Sequence, residues 1–189
     1  MNNPDTWFDR GLEHIWIPYA QMKTIPMPVP IVATSGTRLK LADGRELVDG
    51  VGSWWTSVHG YNHPVLIKAA HDQLDQMPHI MLGGLAHKQA YKLAARLADV
   101  TPGDLSRVFF SESGSVGVEV AMKIAVQYAR NALGETRTKF VSFMGGYHGD
   151  TFATMSVCDP EEGMHTLFAE ALAPQHIVEL PDSDARLEQ

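Results

Sequence analysis

From Arg107 onward the chain alternates strand-forming and helix-forming runs, and this rhythm constrains the fold more than any other feature. Arg107-Val108-Phe109-Phe110-Ser111 reads as a strand and Ser115 to about Leu133 as a long helix. Lys139-Phe140-Val141-Ser142-Phe143 reads as a second strand and Ile177-Val178-Glu179-Leu180 as a third. Strands separated by helices imply an α/β fold with parallel strands joined by crossover helices. Ligands in such sheets sit at the carboxyl ends of the strands. Two loops leave those ends, Glu112 to Ser115 and Met144 to Asp150. Gly145-Gly146 breaks the second strand, and Asp150 is placed to cap a short helix over Thr151 to Val157.

Upstream the character differs. Met1 to about Gly60 is turn-rich, and Pro18, Pro26, Pro28 and Pro30 bar a long helix there. Ile31 to Thr34, Arg38 to Leu41 and Glu46 to Val48 form short runs separated by Ser35-Gly36 and Asp43-Gly44, a small antiparallel meander. His63-Pro64 sets proline at a first helical position, and Ile67, Ala70, Leu74 and Met77 follow as an apolar face. A second helix over His87 to Asp99 turns Ala90, Ala94, Leu97 and Ala98 inward and stops at Thr101-Pro102-Gly103. The expected division is an N-terminal segment over 1–60 and an α/β portion over 61–189.

Composition narrows the functions. Fifteen basic residues against 22 acidic ones give a net charge of −7, with no basic block. Such a chain suits neither nucleic acid nor an anionic membrane, although a local cluster of donors can still hold a small anion. The single cysteine, Cys158, excludes an intrachain disulfide framework and reads as an inert thiol. No apolar run reaches the ~18 residues of a membrane span. The N-terminus lacks the pattern of a signal peptide, so a cytoplasmic location is the expectation.

Ser111-Glu112-Ser113-Gly114-Ser115-Val116-Gly117 follows a strand and opens a helix. A helix N-terminus offers unpaired N–H groups and partial positive charge, Gly114 permits close approach, and Ser113 and Ser115 carry hydroxyls: a phosphate cradle. The plainer alternative is a serine N-cap. In Gly145-Gly146-Tyr147-His148-Gly149-Asp150-Thr151 the aromatic can lie flat on a heteroaromatic ring. His148 is open to two readings, general base or hydrogen-bonded structural residue. Trp54 and Trp55 either wall an apolar substrate channel or fill a core. His59 and His63 have a zinc-like spacing, but no third ligand accompanies them, so no metal site is expected.

Together these motifs resemble the fold type I pyridoxal-phosphate aminotransferases, in the class III subgroup that acts on ω-amino groups. That family has a Gly-Ser pair at a helix start and a Tyr-His-Gly loop, here Gly114-Ser115 and Tyr147-His148-Gly149. The similarity spans His14 to Phe168 and narrows to the branch that serves biotin synthesis. It is carried by His14-Ile15-Trp16-Ile17-Pro18-Tyr19, Asp49-Gly50-Val51-Gly52-Ser53-Trp54-Trp55 and His59-Gly60-Tyr61-Asn62-His63-Pro64. Gly83-Gly84, Met155-Ser156-Val157-Cys158-Asp159-Pro160 and Met164-His165 extend it.

The resemblance implies pyridoxal 5'-phosphate as cofactor, with its phosphate on Gly114 and Ser115 and its ring under Tyr147. It implies a substrate site lined by Tyr19, Trp54, Trp55 and Tyr147, with Ser113, His148 and Asp150 in support. It implies transfer of the amino group of S-adenosylmethionine to 8-amino-7-oxononanoate, giving 7,8-diaminononanoate, in a homodimer whose partner contributes segments near Gly83-Gly84. The family's Schiff-base lysine has no counterpart among Lys23, Lys40, Lys68, Lys88, Lys92, Lys123 and Lys139. The chain is therefore expected to be the N-terminal portion of a larger enzyme, with no catalytic residue of its own and inactive alone. The alternatives are another class III ω-aminotransferase, a non-catalytic remnant or phosphate-binding α/β module, and a generic α/β hydrolase or nucleotide binder. The last lacks a nucleophile elbow, a Walker A loop and a GxGxxG turn.

Overall fold

The computed structural model describes residues 4–162 and 166–181, in two compact units, Met1–His87 and Lys88–Gln189. The break follows His87, so the helix that begins at Pro64 groups with the meander, whereas the sequence placed it after a boundary at Gly60.

In the first unit, strands β1 (Ile31–Ser35), β2 (Arg38–Leu41) and β3 (Glu46–Val48) form the expected antiparallel sheet in the order β1-β2-β3. Ser35 pairs with Arg38, and Leu39 pairs with Leu47. At the second turn Gly44 alone takes a positive φ, +89°. Asp43 contributes differently: its Oδ1 accepts the Arg45 N–H at 3.0 Å. Leu41, 2% exposed, is the buried side chain of this sheet. Helix α1 (Pro4–Leu12) was not anticipated; the proline cluster that argued against helix begins only after it ends. Helix α3 (Pro64–Gln76) begins on its proline as expected, because a fixed φ near −65° suits the first helical position. Its apolar stripe is not buried, however: Ile67 and Leu74 are 43% and 58% exposed. Between β3 and α3 lies α2 (Gly52–Trp55), a single unusual turn.

In the second unit, helix α4 (Lys88–Val100) half-buries the face drawn from sequence, Ala90, Ala94, Leu97 and Ala98. The segment Arg107–Ser111 is not a strand. A strand needs a neighbour to complete its hydrogen-bond ladder, and none pairs with it among the described residues; Phe109 is 70% exposed. Helix α5 (Gly114–Ala132) follows, with Ser113 extended at its N-cap and Gly134 at φ +70° closing its C-terminus. Strands β4 (Val141–Phe143) and β5 (His176–Val178) pair in parallel, Val141 with His176 and Phe143 with Val178. The expected α/β rhythm therefore holds at one parallel pair. Helix α6 (Phe152–Met155) is shorter than expected, and a 3-10 helix spans Thr166–Ala171. Burial concentrates in the run 154–159, from the last two residues of α6 onward. No helix among the described residues is long and apolar enough to cross a membrane. The Met164-His165 motif and the polar stretch after Pro181 lie outside the described residues.

Candidate functional site

The two corners singled out in the sequence meet. Gly114, Ser115, Val118, Tyr147, His148 and Gly149 line one cavity of about 400 Å³. The contact between its walls is close. Gly149 has φ +121°, and a Cβ built there would overlap the Ser115 side chain and come within 2.8 Å of the Ser115 Cα. The Asp150 N–H donates to Ser115 Oγ at 3.1 Å, tying the loop to the first turn of α5. A second tie runs from the Ala153 N–H to Glu119 Oε1, 3.3 Å.

The floor of this cavity is built by the start of α5. Ser113 Oγ accepts the Val116 N–H at 3.2 Å, and the Ser113 carbonyl accepts the Gly117 N–H at 3.0 Å. The plain capping reading is therefore correct for Ser113. It leaves Gly114 and Ser115, whose N–H groups precede the first bonded turn, facing the cavity. A Cβ at Gly114 would meet nothing within 4 Å, so the glycine borders open space.

The opposite wall is held from below. Asp159 Oδ2 accepts the Gly145 N–H at 2.6 Å, and the Asp159 N–H donates to the Gly146 carbonyl at 2.8 Å. The His148 N–H donates to Cys158 Sγ at 3.2 Å. Asp159 is 4% exposed and Cys158 2%. The Glu162, Gly145 and Glu161 N–H groups hold the Asp159 carboxyl below the usual carboxylate range. Sequence reasoning passed over both residues as site elements; the signal was a small thiol and a carboxylate beside a proline, downstream of a glycine-rich loop. His148 folds its ring back on the loop, its Nε2 3.0 Å from where a Gly146 Cβ would stand.

Tyr147 is 63% exposed, and its hydroxyl donates to Asp150 Oδ2 at 2.7 Å. Asp150 was open to two readings, a cap of α6 and a support of the site. It is not the cap: Thr151 occupies the N-cap position, without a side-chain cap bond. The Asp150 carboxylate accepts from the tyrosine instead.

In the first unit the other candidate residues share a backbone peculiarity. Tyr19, Trp54 and Trp55 have φ of +53°, +53° and +66°. With Gly52 at +61° and Ser53 at +48°, α2 is one turn of left-handed helix. That conformation costs about 1–2 kcal/mol per residue for a side chain other than glycine. Tyr19 and Trp54 meet edge-on, ring centroids 5.5 Å apart. Trp54 and Trp55 are 62% and 81% exposed. His59 and His63 have ring centroids 5.9 Å apart, and no group of three metal-ligating side chains occurs among the described residues.

The family model for aminotransferase class-III matches residues 19–189. The chain belongs to the class III aminotransferases. An adenosylmethionine-8-amino-7-oxononanoate aminotransferase from Buchnera aphidicola is 42% identical over 184 residues, 97% of this chain and 42% of that protein. The crystal structure of the enzyme of that name from Methanocaldococcus jannaschii superposes with a TM-score of 0.85 at 35% identity, over 92% of this chain and 40% of that one. An ω-transaminase from Pseudomonas jessenii, solved in complex with PMP, gives 0.80 at 27% identity over 93% of this chain and 39% of that one. The chain thus spans about two fifths of the length of these class III aminotransferases.

Pyridoxal phosphate is the cofactor of this family, and the cavity suits its phosphate. The fit is steric and chemical: a Cβ at Gly149 would crowd Ser115, and the helix start leaves main-chain donors at Gly114 and Ser115, both of which line the cavity. No lysine lines the cavity.

Proposed function

We propose that this chain supplies the phosphate- and ring-binding wall of a class III aminotransferase, and that the enzyme moves the amino group of S-adenosylmethionine to 8-amino-7-oxononanoate. The observation that carries the reading is the convergence of Gly114-Ser115 and Tyr147-His148-Gly149 on one cavity. The relatives' names support the substrate pair. When bound, pyridoxal phosphate acts as the electron sink for breaking the donor's Cα–H bond.

The residues of this chain have narrower tasks. Gly114 and Ser115 hold the phosphate with main-chain donors and a hydroxyl. Tyr147 lays its ring on the cofactor, oriented by Asp150. Ser113 keeps the helix start open by capping it from outside the cavity, and His148 folds over the loop to support it. Tyr19, Trp54 and Trp55 belong to the substrate site, where broad apolar faces with a few polar hooks accept both a nucleoside amino acid and an aliphatic ketone. In this reading the homodimer, its partner's segment near Gly83-Gly84 and the division of the chain into an N-terminal segment and a cofactor-binding portion follow the family.

The test compares pyridoxal phosphate with pyridoxal, by calorimetric titration of the chain. A phosphate cradle predicts that removing the phosphate weakens binding by at least about tenfold, about 1.4 kcal/mol. Borohydride treatment of the complex should leave no covalent adduct on the cavity, which has no lysine. Equal affinity for the two ligands would refute the cradle. Failure of the intact enzyme to aminate 8-amino-7-oxononanoate from S-adenosylmethionine, with turnover of another amine, would assign it to a different class III ω-aminotransferase.

A further inference from the structure

The left-handed turn at Gly52–Trp55 has a clamp. Two tryptophans with positive φ are a rare arrangement, since an indole gains nothing locally from it; a surrounding structure must impose it. Packing supplies little of that constraint: both indoles are exposed, although Trp54 meets Tyr19 edge-on. Hydrogen bonding does. Asp49 Oδ1 accepts the N–H groups of Val51 at 3.0 Å and Gly52 at 2.9 Å, while its Oδ2 accepts the Ser53 N–H at 2.9 Å and the Tyr61 hydroxyl at 2.5 Å. Ser53 Oγ also bonds the Tyr61 hydroxyl.

The clamp is itself anchored on the β1–β2 turn. The Asp49 N–H donates to the Thr37 carbonyl at 2.9 Å. Tyr61 exchanges two main-chain bonds with Gly36, 2.7 and 3.0 Å. A Cβ on neighbouring Gly60 would lie 3.0 Å from the Gly36 carbonyl oxygen, so the approach is tight. One carboxylate thus converts the rigidity of a hairpin into the direction of two exposed indoles.

We propose that Asp49, buttressed by Tyr61, is a positioning residue that fixes the direction of Trp54 and Trp55, the indoles of the proposed substrate site. The substrate-site role of the indoles rests on the aminotransferase reading above; the clamp rests on the geometry.

The experiment reads indole geometry rather than turnover. In a W7F/W16F background, Trp54 and Trp55 are the remaining two of the four tryptophans. Asp49→Asn should remove at least half of the near-UV circular dichroism of the indoles and leave the far-UV spectrum unchanged. Tyr61→Phe should remove a smaller share. Adding Ser53→Gly to Asp49→Asn should restore part of the signal, because glycine accepts the positive φ without steric cost. An unchanged indole band in Asp49→Asn overturns the proposal. So does an unchanged band in Tyr61→Phe, even where Asp49→Asn fails to fold. Failure of the proposed phosphate cradle would appear separately, as equal binding of pyridoxal and pyridoxal phosphate, and would leave the indole result standing.

Discussion

The main-chain N–H of Asp150 donates to Ser115 Oγ at 3.1 Å, joining positions 35 apart in the chain. Through this bond the residue that holds the Tyr147 hydroxyl is also fixed to the first turn of α5. The floor and the aromatic wall of the cavity are therefore one mechanical unit, and substitutions on either side should be felt at both.

Gly149→Ala is the sharpest test of that unit. A methyl there would overlap Ser115, and φ +121° is a conformation that L side chains rarely adopt. Stability should fall, and affinity for pyridoxal phosphate should fall by more than about tenfold. Gly145→Ala is the control: its φ is also positive, +75°, but its Cβ would meet nothing within 4 Å. Calorimetric titration of both variants decides the matter, and equal affinities would show that the Gly149–Ser115 contact is incidental.

Ser113 and Ser115 should separate by function. Ser113→Ala removes the N-cap acceptor of Val116 and should cost about 1 kcal/mol of stability. Cofactor affinity should change little. Ser115→Ala leaves the cap intact but removes a cavity hydroxyl and the acceptor for the Asp150 N–H, so affinity should fall with a smaller loss of stability. Urea melts and titrations of the two variants check this, and the reverse pattern would exchange their roles.

The sequence made the loops legible and the sheet only partly so. Glycine-flanked Tyr147 and the Ser113-Gly114-Ser115 corner carry their turn chemistry locally, so their placement at a strand end and a helix start could be read from residue types. The meander was equally local, set by Ser35-Gly36 and Asp43-Gly44. Arg107–Ser111 was misjudged because strand identity depends on a neighbour, and β-propensity says nothing about whether one exists. The apolar stripe of α3 was legible but its exposure was not, since periodicity shows which face is apolar and not what covers it. Asp150 was open to two roles, helix cap and support of the site, because an acidic residue before a helix can serve either; its side-chain partner is the Tyr147 hydroxyl, three residues upstream. The supports at Asp159 and Cys158, and the left-handed turn under Trp54 and Trp55, required coordinates, because each depends on main-chain groups that any residue type would offer.

Acid should loosen both supports. The Tyr61 hydroxyl, then the N–H groups of Val51, Ser53 and Gly52, hold the Asp49 carboxyl below its usual range. The Glu162, Gly145 and Glu161 N–H groups do so for Asp159. A carboxyl with a depressed folded-state pKa binds fewer protons folded than unfolded, so stability rises with pH between the two values. The contribution is complete above the unfolded value of ~3.9 and disappears as pH falls through the folded one. Melting temperature should therefore hold steady down to about pH 5 and then drop. Asp49→Asn and Asp159→Asn should each shallow that drop, as measured by thermal melts across the pH series. An acid limb identical to the parent's would remove both carboxylates as its cause.

Tyr147 divides ring from hydroxyl. The ring is 63% exposed and borders the cavity, while the hydroxyl is engaged with Asp150 at 2.7 Å. If the ring face is what meets the cofactor, Tyr147→Phe should bind pyridoxal phosphate nearly as well as the parent, because stacking needs no hydroxyl. Tyr147→Ala removes a contact worth about 0.5–1.5 kcal/mol and should weaken binding roughly two- to tenfold. The Asp150→Asn variant should resemble Tyr147→Phe, since it alters only the group that orients the ring. Titration of the three variants gives the order directly. Should Tyr147→Phe bind as poorly as Tyr147→Ala, the hydroxyl rather than the ring face would be the ligand contact, and the stacked arrangement would have to be abandoned.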